Sequence, residues 1–238
     1  MTNPLSPKGS VSPVDRTRSA FDESGQKPVI GLIGGIGSGK SRVAAEFARR
    51  GARIIAGDQL GHEALRQPDV KARVVERWGP DVLDADGEVN RRKVAAIVFA
   101  DTAQLRGLEA IVFPWIESRI AEEIARAQQD PAVALILLDA AVLLEAGWNK
   151  HCDWIVYVHT PRDTRLARLA SQRGWTAKEV DARANAQLPL TEKVTRADFV
   201  VDNSGPLEAT ARQVDDLLRQ WGVHTEPANE LSGDRFSP

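Results

Sequence analysis

Apolar residues along the chain fall into short unbroken runs set between long stretches of helical periodicity. Five runs read as strands: Val29–Ile33, Ala52–Ala56, Ala132–Leu138, Trp154–His159 and Asp198–Val201. The run A-V-A-L-I-L-L holds no polar residue, as expected of a parallel strand covered on both faces. After the first run, Val43, Phe47 and the alanines between them recur at helical spacing, and Gly51 marks a stop. From 60 to 128 the pattern is helical almost throughout. Leu60, Ala64 and Leu65 share a face; Val70–Trp78 is ended by Gly79-Pro80; Arg91–Ala100 and Thr102–Ala127 follow. The last of these carries Pro114, which is expected to kink or split it. Past the fourth strand, Thr160-Pro161 opens a helix that Arg173-Gly174-Trp175 breaks. Thr176-x-x-Glu179 then has the form of a capping box for a helix running through Arg183 to Gln187, and Leu207–Trp221 is an amphipathic closing helix. Strands alternating with helices predict an α/β fold built on a parallel sheet. The helical stretch at about 60–129 exceeds what a crossover needs and predicts an inserted subdomain. Residues 1–27 and 223–238 read as disordered tails flanking an ordered domain at 28–222.

Composition narrows the class little. The chain has 238 residues, 42% of them apolar and 27% charged, with a formal net charge of −2. That balance gives no basic field for nucleic acid or an anionic membrane. One cysteine, Cys152, excludes an internal disulfide and fits a reducing compartment. With no apolar run long enough to span a bilayer and no signal peptide, a cytoplasmic protein is expected, a monomer or small homo-oligomer.

Chemistry concentrates where the first strand ends. Gly34 to Ser41 reads G-G-I-G-S-G-K-S, a G-x-x-x-x-G-K-S phosphate-binding loop between strand and helix. Glycine lets the backbone curl around a polyphosphate and present N–H groups, and the helix N-terminus adds a favourable dipole. Gly35, Ile36, Gly37, Ser38, Gly39, Lys40, Ser41 and Arg42 are the expected ATP contacts, with Lys40 at the β- and γ-phosphates and the Ser41 hydroxyl on Mg²⁺. Asp58 follows the second strand, as a catalytic carboxylate or as a helix N-cap. Asp139 ends the third strand, as part of a Mg²⁺ shell or as a strand-end cap. Glu145 lies on the same rim. Arg165, Arg168 and Arg173, with Arg183 beyond, form an arginine-rich hairpin at 161–190, either a lid that neutralises a transferring phosphoryl group or a solvated face. Asn203, after the last strand, is placed to bond an adenine edge. The loop Asp81–Asn90 is acidic but lacks EF-hand spacing and reads as a turn around Asp86-Gly87. Asn149–Asp153 has one residue too many for the guanine-reading N-K-x-D.

Several of these segments, in this order, resemble the dephospho-CoA kinase family. They are G-L-I-G-G-I-G-S-G-K-S, Asp58 after the second strand, D-G-E-V-N-R-R, V-F-A-D, L-E-A-I-V-F-P-W-I, L-L-D-A-A-V-L-L-E, the R-x-x-x-Q of Arg183–Gln187 and A-D-F-V-V-D-N-S-G. The resemblance runs from about Val29 to Trp221. It implies a P-loop NTPase fold of three α/β/α layers with a five-stranded parallel sheet, a helical substrate-binding insertion and a helical lid. It also implies ATP- and Mg²⁺-dependent phosphorylation of the 3′-hydroxyl of the dephospho-CoA ribose. Asp58 takes the place of the proposed general base, with Lys40 and Arg168 working on the phosphate, Arg183 and Gln187 in the lid, and Arg91 and Glu145 on the substrate side. The sequence departs from the family at Ala56 for an aspartate, Arg42 for a threonine, Phe113 for a histidine and Ala141 for a proline, and the spacing from Arg168 to Arg173 is longer by about one residue. On the P-loop alone, another small-molecule or nucleoside kinase, or a non-catalytic nucleotide switch, would also fit.

Overall fold

A computed structural model of the chain describes residues 25–223. Five strands, β1 (Val29–Gly34), β2 (Ala52–Ala56), β3 (Leu135–Asp139), β4 (Trp154–His159) and β5 (Phe199–Asp202), form one sheet in the order β2-β3-β1-β4-β5. All four pairings are parallel, as the apolar runs predict. Nine α-helices are described: α1 (Lys40–Ala48), α2 (Gly57–Ala64), α3 (Pro68–Trp78), α4 (Arg91–Val98), α5 (Thr102–Gln129), α6 (Arg162–Arg173), α7 (Ala177–Ala184), α8 (Leu190–Thr195) and α9 (Leu207–Gln220).

Strand side chains alternate between two cores, as a period of two requires. Ile30, Leu32, Leu135, Leu137, Val156 and Val158 pack with Val43 and Phe47 of α1 and Val214 and Leu218 of α9. Trp221 closes this layer, stacked on Trp154 at 5.2 Å and near Phe47 at 6.1 Å. Ile33, Ile55, Ile136 and Leu138 face the other way, onto α2, α3, α4 and α5. The result is three layers, α1 and α9 on one face and the helices of residues 57–129 on the other.

Several elements differ from expectation. α5 runs as one helix through Pro114, so of the kink or split expected there the split does not occur. Proline leaves the carbonyl four residues earlier without its helical donor, and the Ala110 carbonyl accepts from Arg73 Nη2 at 3.5 Å instead. β3 begins at Leu135, because Asp130 turns the chain: its carbonyl accepts from Val133 N and its Oδ1 from Ala132 N. α7 ends at Ala184, short of Gln187, although its Thr176–Glu179 capping box is present. α8 has no counterpart in the periodicity, since six residues give less than two turns of pattern. Asp84 accepts from the amides of Asp86 and Glu88, which makes the acidic loop a turn. The expected tails lie outside the described residues apart from their inner edges. There Lys27 Nζ donates to the carbonyls of Ala127, Gln128 and Asp130, and Val223 is buried with Trp221.

Candidate active site

Parallel strands deliver their carboxyl ends to one edge. Asp139 pairs in register with Leu32 on one side and Ala56 on the other. The loop after β1 and Asp58 after β2 therefore flank it. His159 pairs with Asp202 on the far side, so Thr160 and Asn203 arrive side by side next to the same loop.

Those two residues shape the loop. Thr160 Oγ1 donates to the Ser38 carbonyl at 2.9 Å, and Asn203 Nδ2 donates to the same carbonyl at 2.8 Å and to that of Gly39 at 3.5 Å. Arg165 Nη1 reaches the Ile36 carbonyl at 3.2 Å. With these carbonyls drawn outward into protein, the amides of Gly37, Gly39, Lys40 and Ser41 have no carbonyl acceptor among the described residues. This is the concave row of donors that an anion needs. Gly39 sits at φ 82° as the cap of α1, and a Cβ there would collide with Asn203 Nδ2, so only glycine serves.

Above the loop opens a cleft of about 750 Å³. The loop from Gly34 to Arg42 lines it, together with Asp58, Arg168, Arg173, Arg183, Gln187 and Asn203, all expected in the site. Asp58 belongs to the first turn of α2 and makes no capping hydrogen bond; Ala56 occupies the cap position. The N-cap reading of Asp58 is thus corrected. α5 and its approach add a mostly apolar part of the lining, Phe99, Leu105, Leu108, Val112 and Phe113, with Glu109 among them. Phe113, in place of a histidine, packs edge-on to Trp148 at 5.1 Å. Sequence reasoning missed Phe99, Glu109, Gln172 and Trp175 in this lining. Phe99, 67% exposed, betrays itself only once the fold shows an apolar side chain left on the surface.

Other expected residues have different work. Asn203 is fully buried, and its Oδ1 accepts from Thr210 while its amide holds the loop, so its side chain does not face a base edge. Arg165 is 8% exposed and bonds the carbonyls of Thr160 and Ile36, a brace for the loop and not a free lid arginine. Arg168 Nη2 donates to the Asn203 carbonyl at 2.8 Å and still lines the cleft. Arg173 and Arg183 lie over the Trp175 ring, at 5.0 and 4.1 Å. Arg91 is exposed at the start of α4 and does not line the cleft. Glu145 is turned away as well: its Oε1 pairs with Lys193 at 3.1 Å and accepts from Leu188 N at 2.8 Å. Lys193, 1% exposed, was not foreseen, because it lies on the short α8, which no pattern in the sequence marks.

Asp139 lies behind the lining. Burial pushes its carboxyl above the usual range, Lys40 draws it back, and Asp58 pushes it further. Among the described residues no cluster of three or more His, Cys, Asp or Glu side chains could cage a metal. A Mg²⁺ held by one or two protein groups and phosphate oxygens needs no such cage, and the Ser41 hydroxyl with the charge-burdened Asp139 fits that pattern.

A family model described as dephospho-CoA kinase matches residues 28–209. A dephospho-CoA kinase of Anaeromyxobacter dehalogenans is 42% identical over 193 residues, 80% of this chain and 90% of the relative. One of Symbiobacterium thermophilum is 38% identical over 205 residues, 84% of each chain. Among solved structures, TT1252 from Thermus thermophilus superposes with a TM-score of 0.70 at 33% identity, covering 82% of this chain and 98% of that one. With the phosphate loop, Asp58 and the arginine hairpin around one cleft, and a family match over most of its length, the chain belongs to the dephospho-CoA kinase family.

Proposed function

We propose that the chain transfers the γ-phosphoryl group of ATP to the 3′-hydroxyl of the dephospho-CoA ribose, the last step of coenzyme A synthesis, as a cytoplasmic enzyme. One observation carries this reading: the phosphate loop and Asp58 line the same cleft. The loop amides and Lys40 hold the β- and γ-phosphates. Asp58 accepts the ribose hydroxyl proton as the oxygen attacks phosphorus in line with the leaving oxygen. Arg168 is placed for the charge that spreads over the transferring group, with Arg173 and Arg183 near at the hairpin tip. Ser41 and Asp139 would hold Mg²⁺, which supplies neutralisation of phosphate charge when bound. The helices of about 60–129 form the acceptor's side of the cleft, and the hairpin of 161–190 forms its lid. Arg91 and Glu145 take no part in acceptor binding in this reading. The family match supports the choice of acceptor over other small-molecule kinases.

The test is ADP release coupled to a spectroscopic readout, with dephospho-CoA offered against nucleosides, adenylate and shikimate. Turnover is expected with dephospho-CoA, and preference for another acceptor overturns the assignment. Asp58→Asn is expected to keep ATP affinity and to lower turnover by on the order of 10²–10⁴-fold.

A further inference from the structure

We infer that Lys193 is a positioning residue for phosphoryl transfer: its ammonium fastens the returning end of the α6–α7 hairpin to the Ala141 wall of the cleft and so fixes the pivot on which the hairpin closes. The inference rests on the phosphoryl-transfer reading of the site. Nζ donates to the Ala141 carbonyl at 3.2 Å and to Gln187 Oε1 at 3.1 Å, and pairs with Glu145 Oε1 at 3.1 Å. An ammonium has three donors, and all three are used. Glu145 Oε1 in turn takes the Leu188 amide at 2.8 Å, so two independent bonds tie the segment after α7 to this cluster. Ala141 and Gln187 both line the cleft, and Lys193 joins them from behind.

Burial disfavours the ammonium and Glu145 favours it. A plain apolar residue would hold α8 to the core without that conflict, since buried ion pairs bring little net stability. What the pair adds is direction: it specifies which carbonyl and which amide meet. α8 is itself seated against the phosphate loop, where Leu190 Cδ2 comes within 3.1 Å of the place a Cβ on Gly35 would take. At its other end the hairpin is held by Arg165 to the carbonyls of Thr160 and Ile36. The hairpin is thus tethered at both ends to the frame of the phosphate loop, and its tip, with Trp175 and the arginines upon it, is the part left to swing.

The test compares Lys193→Met, Lys193→Arg and Glu145→Gln with the parent. It measures kcat for dephospho-CoA, the Kd of a fluorescent ATP analogue and the ratio of ADP released to phosphorylated product. Lys193→Met is expected to lose at least tenfold in kcat, to bind the analogue within about threefold of the parent because Thr160, Arg165 and Asn203 still hold the loop, and to release more than one ADP per product as water enters an ill-seated lid. Lys193→Arg is expected to recover most of the coupling. Unchanged kcat and coupling in Lys193→Met overturn the inference, as does a loss of ATP affinity in step with kcat, or an arginine variant no better than methionine. If Lys193→Met does not fold, Glu145→Gln decides. It keeps an acceptor for the Leu188 amide, removes the charge and turns the buried, unpartnered Oε2 into an amide NH2, and is expected to show the same split at smaller size; parental behaviour overturns the inference. A parent that fails to phosphorylate dephospho-CoA overturns the functional reading and this inference with it, whereas an active parent with an unaffected variant overturns this inference alone.

Discussion

Asp139 carries a charge that its surroundings resist. Its carboxyl is raised chiefly by burial, so the folded chain holds this proton more tightly than the unfolded chain does. The ionised form therefore costs stability once pH passes the ordinary aspartate value of about 3.9, and the cost is complete above the raised value. Asp139→Asn is expected to melt above the parent at neutral pH without nucleotide, to lose that advantage in acid where both side chains are neutral, and to turn over roughly 10- to 10³-fold more slowly if the carboxylate serves the metal. Calorimetry across pH and the coupled assay check the two halves. At this scale the sequence was legible in placement where a motif fixes the neighbours, as for Lys40 and Ser41 in the cleft lining, and for Asp58 by its position after β2. It was opaque for Asn203, Arg165 and Glu145, whose types suit a ligand as well as a backbone carbonyl or a buried lysine. Only the fold reveals which partner lies nearer.

Among the elements, the phosphate loop is shaped by what lies beneath it. Asn203 joins three of its neighbours, the carbonyls of Ser38 and Gly39 and the Thr210 hydroxyl. Asn203→Ala leaves the Thr210 hydroxyl without this acceptor and the Ser38 carbonyl with Thr160 alone. It is expected to cost about 1–3 kcal/mol in urea unfolding and to weaken ATP-analogue binding about tenfold or more, read by titration. The central strands β1, β3 and β4 were plain in the sequence because a buried parallel strand is a run of one kind of residue. α8 was not, being too short for periodicity, and α5 was expected to kink or split at Pro114, because the donor that meets its freed carbonyl, Arg73, lies on another helix. Helix ends moved for the same reason: Asp130 and Ala184 are set by hydrogen bonds that composition does not announce.

Across the whole molecule, the site is assembled from both ends of the chain, and a ligand that spans it should stabilise the fold as a unit. ATP with Mg²⁺ at 100 times its Kd is expected to add about 2.7 kcal/mol, a rise in melting temperature of roughly 5–10 °C for a domain of this size. Scanning calorimetry with and without nucleotide checks this, and an unmoved transition would mean that the cleft does not take ATP. The α/β class and the parallel sheet were evident from alternation alone. The order β2-β3-β1-β4-β5 was not, because strand neighbours depend on crossovers that no local pattern records.

That order has a consequence for biogenesis. Ser38 is held by partners 122 and 165 residues further along, Thr160 and Asn203. While the ribosome has yet to release β5, the emerging polypeptide owns the glycine string but not the clamp that turns its carbonyls aside. Nucleotide capture is thereby deferred until synthesis is nearly finished, and a prematurely terminated product that ends before Asn203 would not sequester ATP.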